Sequence, residues 1–193
     1  MLQQFAYRYP YSTSIVMVLM TFFIVKAAVY QAPERDNRGR TELYLAAEHG
    51  DLAEVAILLD SVDTPDQRDD CLWTPLMRAS QNGHRAVAHL LLEAGADVNA
   101  VDKGGYSVLM VTAGEGSPEL VRLLLEYQPD LDAQEPTLGW TALIWAAKEG
   151  RAPSVELLLE ASANRHLRDR DGRTALDWAR HMNHAEVIAV LQP

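Results

Sequence analysis

His181 and His184 stand three residues apart in H-M-N-H, the nearest approach in this chain to a metal-ligating pair. A zinc cage needs four ligands, commonly cysteine and histidine. Here Cys71 is the single cysteine and the other four histidines are scattered. A metal-dependent enzyme built on His181 and His184 therefore lacks the rest of its ligand set. His184 also occupies the same slot as His84, which points to a structural use. Cys71 has no histidine at a spacing that would serve as its catalytic base, and one thiol makes no internal disulfide. There is no H-E-x-x-H, no phosphate-binding glycine loop and no G-x-S-x-G elbow. The residues predict no enzyme, no cofactor and no metal. The remaining reactive-looking cluster is R-H-L-R-D-R-D-G-R from Arg165 to Arg173. It reads as a solvated turn of paired charges, or as an anion contact through Arg168, Arg170 and Arg173.

The elements that must position these side chains repeat along the chain. Thr41, Thr74, Ser107, Thr141 and Thr174 fall at spacings of 33, 33, 34 and 33, and each is followed two residues later by leucine. Gly50, Gly83, Gly116 and Gly150 follow, with Asn183 in the last copy. Then comes an aliphatic run such as Leu90-Leu91-Leu92 or Leu157-Leu158-Leu159. The hydroxyl is suited to cap a first helix, with Pro75 at its first position. Small residues such as Ala46-Ala47 and Ala146-Ala147 let a neighbouring helix approach, and glycine or asparagine ends the helix in a left-handed cap. The second helix is amphipathic. A single unit of this size cannot bury its leucine face, so the units must stack.

This pattern resembles the ankyrin repeat over residues 35–193, most clearly from Trp73 to His84 (W-T-P-L-M-R-A-S-Q-N-G-H) and from Leu90 to Ala100 (L-L-L-E-A-G-A-D-V-N-A). R-D-N-R-G-R-T at Arg35–Thr41 and R-D-R-D-G-R-T at Arg168–Thr174 match the family's entering turn. The resemblance implies an all-α solenoid of helix–turn–helix units with β-hairpin-like fingers. About five repeats are expected, near 35–67, 68–100, 101–133, 134–167 and 168–193. The family's usual histidine after the first-helix leucine is replaced by Tyr44, Met77, Met110, Ile144 and Asp177, which puts in question how adjacent repeats are tied. One extra residue in Gln134–Gly139 is expected to enlarge that finger. Asp177, Arg180, His181 and His184 give the final copy the polarity of a capping repeat.

Family resemblance also implies that targets bind the finger tips and the concave face of the first helices. The slot before each capping hydroxyl holds Arg40, Trp73, Tyr106, Trp140 and Arg173, three aromatics between arginines, which is the composition of binding hot spots. Stacked repeats would set the rings in a ladder, which either contacts a partner or packs the finger bases. A second row, two residues after the first-helix leucine, holds Leu45, Arg78, Val111, Trp145 and Trp178. It lies roughly 200° around the helix from that leucine, towards the groove. Trp145 and Trp178 stand equally as core.

The chain carries a formal charge of -10. Two bases and one acid precede residue 35, leaving 15 bases and 26 acids beyond it, or -11. Such a domain repels phosphate backbones, so nucleic acid is not an expected partner. Residues 1–11 form a short tail, and Ser12–Val25 is apolar on every face. Counting on through Lys26 to Tyr30 yields 19 residues, enough to cross a bilayer. Residues 12–30 are therefore expected to be a membrane anchor or a signal segment removed on export, joined by 31–34 to a monomeric repeat domain. A short tail ahead of an apolar core places the repeats on the exported side. The bases following the span (Lys26, Arg35, Arg38 and Arg40) favour the cytoplasm instead. The expected function is a protein-binding scaffold at a membrane. The alternative is an exported inhibitor that sequesters one toxin or enzyme.

Overall fold

The computed structural model describes residues 34–192, and the repeat unit begins at Arg35. Ten helices occupy the described residues, in five pairs. The first helices of the pairs are α1 (Glu42–His49), α3 (Pro75–Gln81), α5 (Val108–Glu115), α7 (Ala142–Lys148) and α9 (Ala175–His181). The second helices are α2 (Leu52–Leu59), α4 (Arg85–Glu93), α6 (Pro118–Glu126), α8 (Ala152–Glu160) and α10 (Ala185–Leu191). First helices pack on first helices and second on second in strict succession, which makes a solenoid. The expected segment at 12–30 lies outside the described residues. Among the described residues no helix is long and apolar enough to cross a membrane.

The local signals act as the sequence predicts. Each capping hydroxyl accepts a hydrogen bond from the backbone N–H three residues on: Thr41 from Tyr44, Thr74 from Met77, Ser107 from Met110, Thr141 from Ile144 and Thr174 from Asp177. Such caps each contribute about 1 kcal/mol. Pro75 opens α3, where its missing N–H costs nothing. Gly50 and Asn183 both hold positive φ after their first helices. Leu43, Leu76, Leu109 and Leu143 are buried under the first helices, while Ala47, Ala79, Ala113 and Ala146 are completely covered where those helices meet. Burying each leucine stabilises by roughly 1.5–3 kcal/mol.

The fingers differ from the hairpin expectation. Among the described residues there is no strand, only an isolated bridge between Val101 and Ser107. A carboxylate does the work of the missing ladder. Asp36, Asp69, Asp102 and Asp169 each accept with Oδ1 from the backbone N–H groups two and four residues ahead. The backbone then closes each loop, as from Asp69 N–H to the Trp73 carbonyl at 3.0 Å. In the finger with one extra residue the acid is Glu135. It is 1% exposed and accepts from Thr137, Leu138 and Trp140 at 2.6, 2.6 and 3.1 Å. The longer side chain spans the longer loop.

Neighbouring fingers are tied in turn. Asp70 donates to Arg38, Lys103 to Cys71, and Arg170 to Leu138, all through backbone atoms. Pro136 stands in the same slot of the enlarged finger and has no N–H to give. Arg35, Arg68 and Gln134 add side-chain bonds to the carbonyls of Arg68, Val101 and Arg168.

Candidate functional site: the aromatic strip of the first helices

The expected absence of the family histidine is made good in the first repeat by Tyr44. Its buried hydroxyl donates to Asp69 Oδ2 at 3.0 Å and accepts from Arg78 Nε and Nη2 at 3.0 and 2.8 Å. Burial is the main reason its phenol is pushed up to about 12, with the Arg78 bond opposing and Asp69 adding to the rise. His84 and His184 serve a related purpose from another slot. Nε2 of His84 lies 3.1 Å from the Glu48 carbonyl, and Nε2 of His184 lies 2.9 Å from the Lys148 carbonyl. A carbonyl only accepts, so both rings must carry their proton on Nε2. Arg151 holds the equivalent position opposite the Gly114 carbonyl at 2.9 Å.

His184 is thus committed to an inter-repeat bond, while the His181 ring packs edge-on against Trp178 at 5.8 Å. The pair reads as structural in this geometry. Among the described residues no group of three or more histidines, cysteines and carboxylates is placed to hold a metal. Cys71 is exposed at a finger.

The two predicted rows merge into one strip. Trp73, Tyr106 and Trp140 do not form a ladder by themselves, because second-row rings are interleaved with them. Trp145 lies against Tyr106 at 4.9 Å and Trp140 at 6.1 Å, and Trp178 lies against Trp140 at 5.6 Å, all edge to face. The physical reason is reach. One repeat step separates equivalent side chains, and an indole from the adjoining helix turn fills the interval. These rings are half-buried, packed on one side against the core and open on the other.

Cations cover several of the ring faces. Arg78 sits over Trp73 at 4.6 Å and over Tyr44 at 5.5 Å, Lys148 over Trp140 at 5.3 Å, and Arg173 over Trp178 at 4.8 Å. Two indole N–H groups reach back to finger carboxylates: Trp73 to Asp102 Oδ2 at 3.1 Å and Trp178 to Asp169 Oδ2 at 2.7 Å. Arg40 closes the strip at its other end, paired with Asp36 at 2.7 Å and Glu48 at 3.1 Å. Its donated bond is the main reason the Asp36 carboxyl is held down to about 2. In the last finger Arg168 bonds the Gly172 carbonyl, whereas Arg173 turns to Trp178, so these two guanidinium groups have separate uses.

Sequence reasoning identified every ring of the strip but missed the carboxylates beneath it. Asp36, Asp69, Asp102, Glu135 and Asp169 recur at 33, 33, 33 and 34 residues, a signal as regular as the hydroxyls. It was hidden among the many acids of an acidic chain.

Comparison with known proteins agrees with this architecture. The family model for ankyrin repeats (3 copies) matches residues 11–102 and 103–192. The ankyrin repeat protein nuc-2 of Neurospora crassa is 36% identical over 64 residues, 33% of this chain. That match spans only 6% of the relative's length. On the repeat spacing, the capped helix pairs and the matched residues together, the chain belongs to the ankyrin-repeat family.

Proposed function

We propose that this chain is a non-catalytic scaffold, held at a membrane by residues 12–30, that binds one protein partner through the strip of its first helices. Ankyrin repeats in general act as protein-binding scaffolds, and the fold supports that much directly. The observation that carries the finer reading is the continuity of the strip from Arg40 to Arg173. Arg40 begins it at the first repeat, and half-buried aromatic rings with their attendant cations carry it along the second to fifth. Large rings already held by their neighbours lose little freedom on binding, and such residues dominate interface energetics. The tether is supported by the uncharged run Ser12–Val25 alone. In this reading the repeats face the exported side as a monomer.

The test is to crosslink the tethered protein in its own cells and identify captured proteins by mass spectrometry. A Trp73→Ala/Tyr106→Ala/Trp140→Ala variant, first shown to keep its helicity and cooperative melting, runs in parallel. Loss of one captured protein from the variant is the expected result, and that protein's compartment reports the topology. An unchanged set of captured proteins would mean that the rings only pack, and the reading fails.

A further inference from the structure

The strip follows a rule with one exception. Trp73, Trp140 and Trp178 each face a cation of this chain, Arg78, Lys148 and Arg173. Trp145, with Tyr106 edge-on at 4.9 Å, faces none among the described residues. Its indole N–H, like that of Trp140, meets no acceptor there, unlike those of Trp73 and Trp178. The ring lies against α5 because residue 114 is glycine; a Cβ there would come within 2.8 Å of the indole nitrogen.

At this point the groove opens into a cleft of about 310 Å³ between α3, α5 and α7. That is the lower end of the range for ligand pockets, roughly 300–1,000 Å³, and suits one long side chain. Trp73, Tyr106 and Trp145 wall it, and Asp102, Glu115 and Glu149 bring three carboxylates against the single guanidinium of Arg151. Lys148 pairs with Glu149 at 2.6 Å, and Arg151 is turned to the Gly114 carbonyl. Asp102 and Glu115 have no ion pair among the described residues. The cleft is therefore aromatic in its walls and negative in its balance. That combination attracts a cation both through the ring faces and through the carboxylates. Burial is the main reason the Tyr106 phenol is raised, and the charges of Glu135, which lies outside the cleft, and of Asp102 raise it further.

We propose that this cleft receives the basic side chain, arginine or lysine, of the protein bound along the strip, which supplies the cation that Trp145 and Tyr106 lack. The proposal rests on the groove reading above and adds the chemistry of the contact. The stem of the entering residue lies along the rings of Tyr106 and Trp145. Its charged head comes between Glu115 and Asp102, and an anionic or neutral residue at the same place leaves Glu115 unmatched.

The experiment uses the full chain in detergent micelles, labelled with ¹⁵N at tryptophan. Its four indole signals are assigned by single Trp→Phe variants. The probes are acetyl-Gly-Arg-Gly-amide, its lysine counterpart, and two controls in which the central residue is citrulline or glutamate. The Trp145 and Trp73 signals are expected to shift saturably with an arginine or lysine probe at millimolar concentration. Neither control should produce that shift. Glu115→Gln/Glu149→Gln, two exposed positions, should weaken the response several-fold while helicity is unchanged. Saturable shifts with arginine but not lysine, or the reverse, identify which base the partner presents. Absence of a saturable shift with either base, or an equal shift with citrulline, overturns the proposal. The crosslinking experiment separates the two readings. If the aromatic triple variant loses its partner and Glu115→Gln/Glu149→Gln keeps it fully, the groove binds but this cleft is not a cation site. If the probes bind and the triple variant still captures its partner, the cleft chemistry stands and the groove reading falls.

Discussion

Replacing Glu135 by aspartate shortens its side chain by one methylene, about 1.5 Å, in the one finger with an extra residue. The carboxylate now accepts three backbone N–H bonds at 2.6, 2.6 and 3.1 Å while 1% exposed, so few waters are available to take their place. Charge-assisted bonds of this kind contribute about 1.5–3 kcal/mol each. Losing reach to two of them, with some relaxation, should cost about 3 kcal/mol. In a chain of this size that lowers Tm by roughly 6–12 °C. Deleting Thr137 alone leaves the long side chain in a short finger and should cost about 1–3 kcal/mol through overpacking. The two changes together restore the arrangement of the Asp69 finger, where the acid is followed by three residues and then tryptophan. The double variant should lie within about 1 kcal/mol of the parent, a coupling of at least about 3 kcal/mol between two positions in one loop. Urea denaturation of the four proteins, followed by circular dichroism and tryptophan fluorescence, completes the cycle. If the double variant is as unstable as the sum of the two single variants, finger length does not select the acid and the reasoning is wrong.

Two further outcomes follow from the ties between repeats. Tyr44→Phe removes the hydroxyl that joins Asp69 to Arg78 and should cost about 2 kcal/mol, since Arg78 keeps Gln81 at 2.7 Å. An unfolded tyrosine ionises near 10 and the folded Tyr44 near 12, so over that interval the unfolded state alone loses its proton. Stability from this group is intact below pH 10 and declines as pH rises to 12. Chemical denaturation across that range should show a shallower alkaline fall in the variant; an identical fall would refute the assignment. Gly150→Ala places a Cβ at 2.8 Å from the His184 ring with φ at +73°, whereas at Gly83, with φ at +78°, nothing lies within 4 Å. Both substitutions carry the left-handed penalty of about 1–2 kcal/mol. Gly150→Ala should therefore cost about 1 kcal/mol more than Gly83→Ala, and His184→Ala should erase that difference. Equal melting shifts for the two glycine variants would show that the ring does not need the space.

How much of this was legible beforehand depends on the range of each interaction. The capping hydroxyls, Pro75 and the left-handed Gly50 and Asn183 act over four or five residues, so their spacing alone placed the helices. The slots of Trp73, Tyr106, Trp140 and Trp145 were likewise readable, because a repeat carries each position to the same face. The hairpin expectation was not met, because the carboxylates take the amides that a strand ladder would use. Their partners lie within five residues, yet the acids are one signal among 27 acidic residues.

Repeat period, caps and apolar runs are local, and they determined by themselves that this chain forms stacked helix pairs. Which ring meets which cation was decided only by the stacking. Arg78 turns to Tyr44 and Trp73, and Trp145 enters between Tyr106 and Trp140. Arg78 with Tyr44 and Trp145 with Tyr106 join neighbouring repeats, whereas Arg78 with Trp73 and Trp145 with Trp140 are five residues apart; all run through flexible side chains whose direction no local spacing constrains. The assembled neighbours select one rotamer of each by steric fit and charge, and the gap left at Trp145 exists only in that assembly.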